Sequence, residues 1–246
     1  MFYRRLISSV AALVLATTAA AFAVSATTAV ASDKRSTRNT QVSEPLNLAV
    51  LVQDDLIAQV GNELGVTRDF IRSLPSGSRV MVGYITTGTL QVRQPFTSDL
   101  DQAARSLRVP RSSESAAPFN PYVEVIEALR NFDGNWKGKN AVLLISDGLD
   151  TSRGFDVTSS GHTIDLERAI KHANDRGVAV YAFYAPSVGL TSHSRLAAGY
   201  GQNSLNRLAN DTGGKAFFQG TSGFVTFDGY FERLKQTLNE QYARAS

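Results

Sequence analysis

From Leu46 onward, short apolar runs alternate with longer stretches of helical period. This is the pattern of a parallel sheet covered by helices, an α/β class. Leu48 to Val52 (LAVLV) predicts the first strand, followed by a helix through Val60, Leu64, Phe70 and Ile71 that ends before Pro75-Ser76-Gly77. Arg79 to Ile85 predicts the second strand, and Thr89 to Arg93 alternates as an edge strand does. Two helices are expected next, Asp99 to Leu107 and Tyr122 to Leu129, on either side of a Pro, Ser and Ala-rich loop from Pro110 to Pro118.

The apolar run Ala141 to Ile145 then stops at Ser146-Asp147-Gly148. In an open parallel sheet, ligands bind at the carboxyl ends of the strands, so Asp147 presents a carboxylate where such proteins place their chemistry. An Asp-Gly pair also serves simply to start a turn. A polar loop from Thr151 to Thr163 leads to a helix striped by Leu166, Ala169, Ile170 and Ala173, which stops at Gly177. Val178 to Tyr184 is apolar throughout, as a strand buried on both faces should be. Ala185 to Asn203 has no clear period and is expected to be a long loop. A helix through Leu205, Leu208 and Ala209, a short strand from Lys215 to Phe218, and a final helix from about Asp228, striped by Phe231, Leu234, Leu238 and Tyr242, complete the pattern.

The N-terminus reads differently. Arg4 and Arg5 precede an almost uncharged stretch from Leu6 to Val30, then Ala29-Val30-Ala31 and the polar Ser32-Asp33-Lys34-Arg35. These are the parts of a secretory signal peptide, residues 1–31, cleaved after Ala31. If retained, the stretch would instead act as a membrane anchor, its length approaching that of a spanning helix. Residues 32–45 are polar and unpatterned and read as a flexible tether, leaving 46–246 as the folded domain. The expected location is periplasmic or extracellular, across the cytoplasmic membrane.

Charge adds little. Of 25 basic side chains, Arg4 and Arg5 leave with the leader, so 23 face 22 acidic ones, and nothing electrostatic favours nucleic acid. The absence of cysteine excludes disulfides, thiolate metal sites and cysteine nucleophiles.

Five segments, LAVLVQDD, RVMVGYI, VLLISDG, DRGVAVYAFY and LNRLANDTGGKAFF, resemble in order and spacing the von Willebrand factor type A domain, and more closely its bacterial secreted VWFA-related branch. The match spans nearly all of Leu46 to Tyr242. The resemblance implies a doubly wound, mostly parallel central sheet with helices on both faces, and recognition rather than catalysis. It also implies a divalent cation at the carboxyl edge, held by an Asp-x-Ser-x-Ser motif, a Thr and a second Asp. Mg²⁺ suits such oxygen ligands.

In this chain the motif positions hold Gln53, Asp55 and Ile57, the Thr position falls near Asn120, and only Asp147 is unchanged. Two readings are open. Asp55, Asn120 and Asp147 rebuild a site for Mg²⁺ or Ca²⁺ from other oxygen ligands. Alternatively the cation has been lost, no cofactor is used, and Asp54 and Asp55 cap the following helix. Loss is favoured because both hydroxyl positions are replaced.

No catalytic constellation emerges. His162, His172 and His193 lack metal-ligand spacing, and pairings such as His162 with Ser160 or His193 with Ser192 are composition in Ser-rich loops. There is no G-x-S-x-G elbow and no phosphate-binding Gly motif. The acidic pair after the first strand also occurs in receiver-type phosphoacceptor domains, but the leader and the long final loop argue against that class. The expectation is an exported, non-enzymatic domain that binds a protein through a rim of Asp54, Asp55, Asn120, Asp147 and the Ser187 to Asn203 segment with Arg195, Tyr200 and Gln202. A cation-dependent adhesion-like module and an unrecognised hydrolase are the alternatives.

Overall fold

A computed structural model describes residues 42–112, 119–136, 138–154, 163–220 and 225–245. The expected signal peptide and its cleavage point, most of the tether, His162, Ser160 and the middles of the two polar loops lie outside the described residues.

Apolar runs with no polar alternation can be satisfied only by burial on both faces, and the strands follow that rule. Strands β1 (Leu46–Gln53), β2 (Arg79–Thr86), β4 (Lys139–Ser146), β5 (Val178–Tyr184) and β6 (Ala216–Phe217) are parallel, with β3 (Thr89–Thr97) antiparallel on β2 at the edge. The order across the sheet is β3-β2-β1-β4-β5-β6. Six helices separate or follow these strands: α1 (Gln59–Arg72), α2 (Leu100–Ser106), α3 (Pro121–Leu129), α4 (Ile164–Asp175), α6 (Arg195–Asp211) and α7 (Asp228–Ala245). A single turn, α5 (Leu190–His193), precedes α6.

Side-chain alternation divides the core in two. Leu48, Val50 and Val52 of β1 pack with apolar residues of α1, α2 and α7, whereas Ala49 and Leu51 face α3, α4 and α6. The fold is therefore doubly wound, with helices on both faces. From β1 the chain crosses to β2 on one side, and β4 pairs on the other, in register from Leu46 opposite Lys139 to Val52 opposite Ile145. The winding reverses between β1 and β4, so their carboxyl ends, Gln53 and Ser146, flank the crevice where open sheets of this kind take ligands.

Two expectations need correcting. The tether was expected to reach residue 45, but Val42 is already in the core, and Ser43 hydrogen-bonds through its backbone N–H and its hydroxyl to Asn239 of α7. The long loop from Ala185 to Asn203 is largely helical, because α5 and the first half of α6 occupy it. Gly199, Gly201, Ser and Asn residues lower helix propensity there, while packing of Ala197, Ala198, Leu205 and Leu208 overrides it. Gly201 has a further reason to be glycine. A Cβ at that position would lie 1.9 Å from the Asp147 carbonyl oxygen, and one at Gly148 (φ +73°) would lie 2.4 Å from the Gly201 oxygen. The two glycines let the α6 backbone rest directly on the turn after β4.

Gly199, by contrast, has no heavy atom within 4 Å of its would-be Cβ. Gly199→Ala should therefore leave stability unchanged or raise it by about 0.5–1 kcal/mol through helix propensity. Gly201→Ala should cost roughly 1–3 kcal/mol or more by forcing α6 off the turn. Thermal unfolding followed by circular dichroism checks this, and equal melting shifts for the two variants would refute the close approach.

Candidate functional site at the carboxyl edge of the sheet

β1 ends in Gln53, which is 1% exposed. A buried carboxamide needs partners for two donors and two lone pairs. Its Nε2 donates to Asp55 Oδ1 at 2.8 Å, while Oε1 accepts from the Ser146 hydroxyl and, at 3.2 Å, from the Asp147 backbone N–H. The orientation of the amide follows from the chemistry, since a backbone N–H can only donate and so must face the carbonyl oxygen. The Ser146 hydroxyl donates to Gln53 and accepts from the Gly148 N–H at 3.0 Å. The ends of β1 and β4 are thus joined side chain to side chain.

Asp147 is buried at 3% exposure. Its Oδ1 accepts the Leu149 N–H and its Oδ2 the Thr191 hydroxyl, each at 3.1 Å. Thr191 in turn accepts the Ser187 N–H at 2.8 Å and contacts the Ser187 hydroxyl at 3.0 Å. Burial pushes the Asp147 carboxyl above its usual range, and these hydrogen bonds hold it back in part. Above it, the loop after β1 meets the loop after β5. Ile57 N–H donates to Pro186 O at 3.0 Å, Val188 N–H donates to Asp55 O at 2.9 Å, and Leu56 pairs with Ser187. The crevice is closed over by its own loops. The sequence reading missed Ser187 and Thr191 as partners of Asp147; a Ser/Thr-rich segment after a strand end was the only sign.

Asp54 points away from this cluster and is 5% exposed. Arg108 donates to both of its oxygens, through Nη2 at 2.8 Å, and the Arg111 N–H adds a third bond at 3.0 Å. The Arg108 guanidinium lies 3.9 Å from the centre of the Tyr84 ring, and the Tyr84 hydroxyl donates to the Arg108 carbonyl. The bidentate pair straps the segment after α2 across the end of β1. Asp54, expected to face a partner, is an internal anchor.

Asn120 caps α3. Its Oδ1 accepts from Tyr122 N–H and Val123 N–H at 3.2 and 3.3 Å, and its Nδ2 donates to Asp165 of α4. Arg195, Tyr200 and Gln202 all lie on α6, where Arg195 is exposed, Tyr200 half-buried and Gln202 buried. Gln202, expected on the rim, donates instead to Gly220 O at 2.6 Å. The outward surface near Arg195 carries two exposed leucines, Leu190 (39%) and Leu196 (57%). The Ser192 hydroxyl, next to His193 in sequence, donates to the Val188 and Gly189 carbonyls.

Of the three candidate ligands, Asn120 and Asp147 are already engaged as hydrogen-bond acceptors, Asn120 through Oδ1 and Asp147 through both oxygens. Gln53 Oε1 also accepts hydrogens, and apolar Ile57 stands at the third motif position. Among the described residues, no group of three His, Cys, Asp or Glu side chains is placed to hold an ion. The residues do not fit a divalent cation in this arrangement.

Asp55 carries the pH dependence of the site. Burial, then the charge of Asp147, pushes its carboxyl up to about 7. The folded state keeps a proton that the unfolded chain releases near pH 4, so stability falls as pH rises from about 4 to 7. At about 1.4 kcal/mol per pH unit the loss is at most about 4 kcal/mol, and partial exposure of Asp55 reduces it. Asp55→Asn, which keeps an oxygen for Gln53, should match wild type near pH 4 and melt several degrees higher at pH 8. Parallel Tm–pH curves for the two proteins would contradict this.

No protein-family model matches the sequence, and no curated protein does. Among solved structures, the chain is similar to the conserved hypothetical protein BatB from Bacteroides thetaiotaomicron, at 16% identity and TM-score 0.58, covering 81% of this chain and 100% of that one. It is also similar to an aerotolerance-related membrane protein from Bacteroides fragilis, at 14% identity and TM-score 0.54, covering 80% and 100%. A third likeness is to the human COPII-coat protein Sec24c, at 13% identity and TM-score 0.51, covering 82% of this chain and 33% of that one. At such identities the likeness speaks to fold alone: the chain has a von Willebrand factor type A-like fold.

Proposed function

We propose that this chain is an exported, non-enzymatic domain that binds a protein partner through the exposed rim of its sheet and does so without a cation. One observation carries the reading. The crevice between β1 and β4, where a small substrate would sit, is filled by hydrogen bonds among Gln53, Ser146, Asp147, Ser187 and Thr191 and roofed by the β1 and β5 loops. What remains open to a partner is the surface outside it, where Leu190, Arg195 and Leu196 stand exposed at the start of α6. Exposed apolar side chains beside an arginine are the composition of binding hot spots.

Export rests on the leader-like pattern of residues 1–31, with its small-residue site at Ala29-Val30-Ala31. No helix among the described residues is long and apolar enough to cross a membrane. The final address is periplasmic or extracellular, with the membrane surface as the alternative where the leader is retained.

The test is capture from envelope and secreted fractions of the producing cell, using wild type and an Arg195→Glu/Leu196→Asp double variant as baits. Both positions are exposed, so stability in thermal unfolding should stay within about 0.5 kcal/mol of wild type. A protein held by wild type should bind the variant at least about tenfold more weakly. Equal retention by the two baits would remove this surface from the interaction.

A further inference from the structure

A divalent cation at a strand edge gathers oxygen atoms by their lone pairs. At this edge the lone pairs point elsewhere. The Ser146 oxygen accepts from Gly148 N–H and turns its proton toward Gln53, and Asp147 divides its two oxygens between Leu149 and Thr191. In the middle stands a carboxamide whose two ends have opposite polarity. Its NH₂ faces a carboxylate, and its carbonyl faces a hydroxyl proton and a backbone N–H. A cation would have to displace the Ser146 proton and the Asp147 N–H from Gln53 Oε1, and the amide NH₂ turned toward Asp55 offers it no lone pair.

We propose that Gln53 is the positioning residue of this edge, an uncharged internal cross-link that joins Asp55 to the end of β4 and assembles the rim by folding alone, indifferent to divalent cations. Three features fit that role. Gln53 is almost fully buried, so its bonds form out of water, where losing one is costly. It sits at the reversal of the winding, where β1 and β4 are paired up to Val52 and Ile145 and the Gln53 side chain continues the connection to the Ser146 hydroxyl and the Asp147 N–H. Asp55, which it holds, also ties the β1 loop to the β5 loop through its carbonyl oxygen and Val188 N–H. One amide therefore links three strand ends: β1, β4 and, through Asp55, β5.

The experiment uses the full purified chain and compares wild type, Gln53→Met and Gln53→Glu by thermal unfolding in EDTA and in millimolar Mg²⁺ or Ca²⁺. Met keeps the length and removes all three hydrogen bonds. Glu replaces the donor end with an oxygen and sets a third carboxylate beside Asp55 and Asp147. Wild type should melt within about 1 °C in all three solutions, less than the shift expected for 1 kcal/mol in a domain of this size. Gln53→Met should melt at least about 3 °C lower, with no recovery in either cation. Gln53→Glu should melt lower in EDTA and recover with Mg²⁺ or Ca²⁺.

A wild-type Tm that climbs with cation concentration overturns the proposal. So does a Gln53→Met protein as stable as wild type, or a Gln53→Glu protein that cations leave unchanged. Where Gln53→Glu does not fold, the wild-type titration and Gln53→Met decide. None of these readouts involves a partner, so failure here and failure of the interaction reading are separately visible.

Discussion

Two carboxyl groups, Asp147 buried and Asp55 partly buried, stand near the ends of adjacent strands, and the structure around them is arranged by the cost of holding them out of water. A buried charge must be paired, hydrogen-bonded or neutralised. Asp147 is hydrogen-bonded on both oxygens, by the Leu149 N–H and the Thr191 hydroxyl. Asp55 takes the Gln53 amide and holds its proton to about pH 7. The hydrogen bonds described for the two carboxyls come from neutral groups, Gln53, Leu149 and Thr191. Arg108 and Arg111 are committed to the neighbouring Asp54. The site is therefore a network of neutral donors around acidic groups, a different solution from ion pairing and one that leaves few oxygens for a ligand.

The same constraint explains the closeness of α6 to the central strand. Thr191 must reach Asp147, so the chain leaving β5 turns back over the β4 end before α6 begins. α6 then rests on the β4 turn where Gly201 meets Gly148. The helix that carries the exposed Arg195 and Leu196 is held against the most polar part of the core. A partner bound on its outer surface would stand within two turns of the glycine contact, since Arg195 and Gly201 belong to one 17-residue helix.

The proposed recognition through a surface rather than a cleft also suits how the rim is built. The β1 and β5 loops share backbone hydrogen bonds, and the segment after α2 is strapped by the Asp54–Arg108 pair. Loops tied in this way present a preorganised surface, which lowers the ordering cost of binding. Their immobilisation comes from polar contacts formed between elements distant in sequence: Asp54 with Arg108, Gln53 with Ser146, Asp147 with Thr191.

The sequence by itself determined the α/β alternation and the two-sided burial of β1, β4 and β5, because a strand covered on both faces has no option but a continuous apolar run. It also located the carboxylate of Asp147 at a strand end, since Ser146-Asp147-Gly148 interrupts such a run. It misled on Ala185 to Asn203, where Gly201, small because a neighbouring backbone rests on it, looks like a glycine of a loop. Local composition cannot distinguish a missing Cβ that frees the backbone from one that admits a neighbour. Only the tertiary structure decided that Asp54 and Gln202 turn inward and that Ser187 and Thr191 serve Asp147. It also decided that Gln53, at a position where the family resemblance implies an aspartate, is the bridge between β1 and β4. Those roles depend on which strand ends become neighbours, and hydrogen bonds between residues 18 to 94 positions apart leave no periodic trace along the chain.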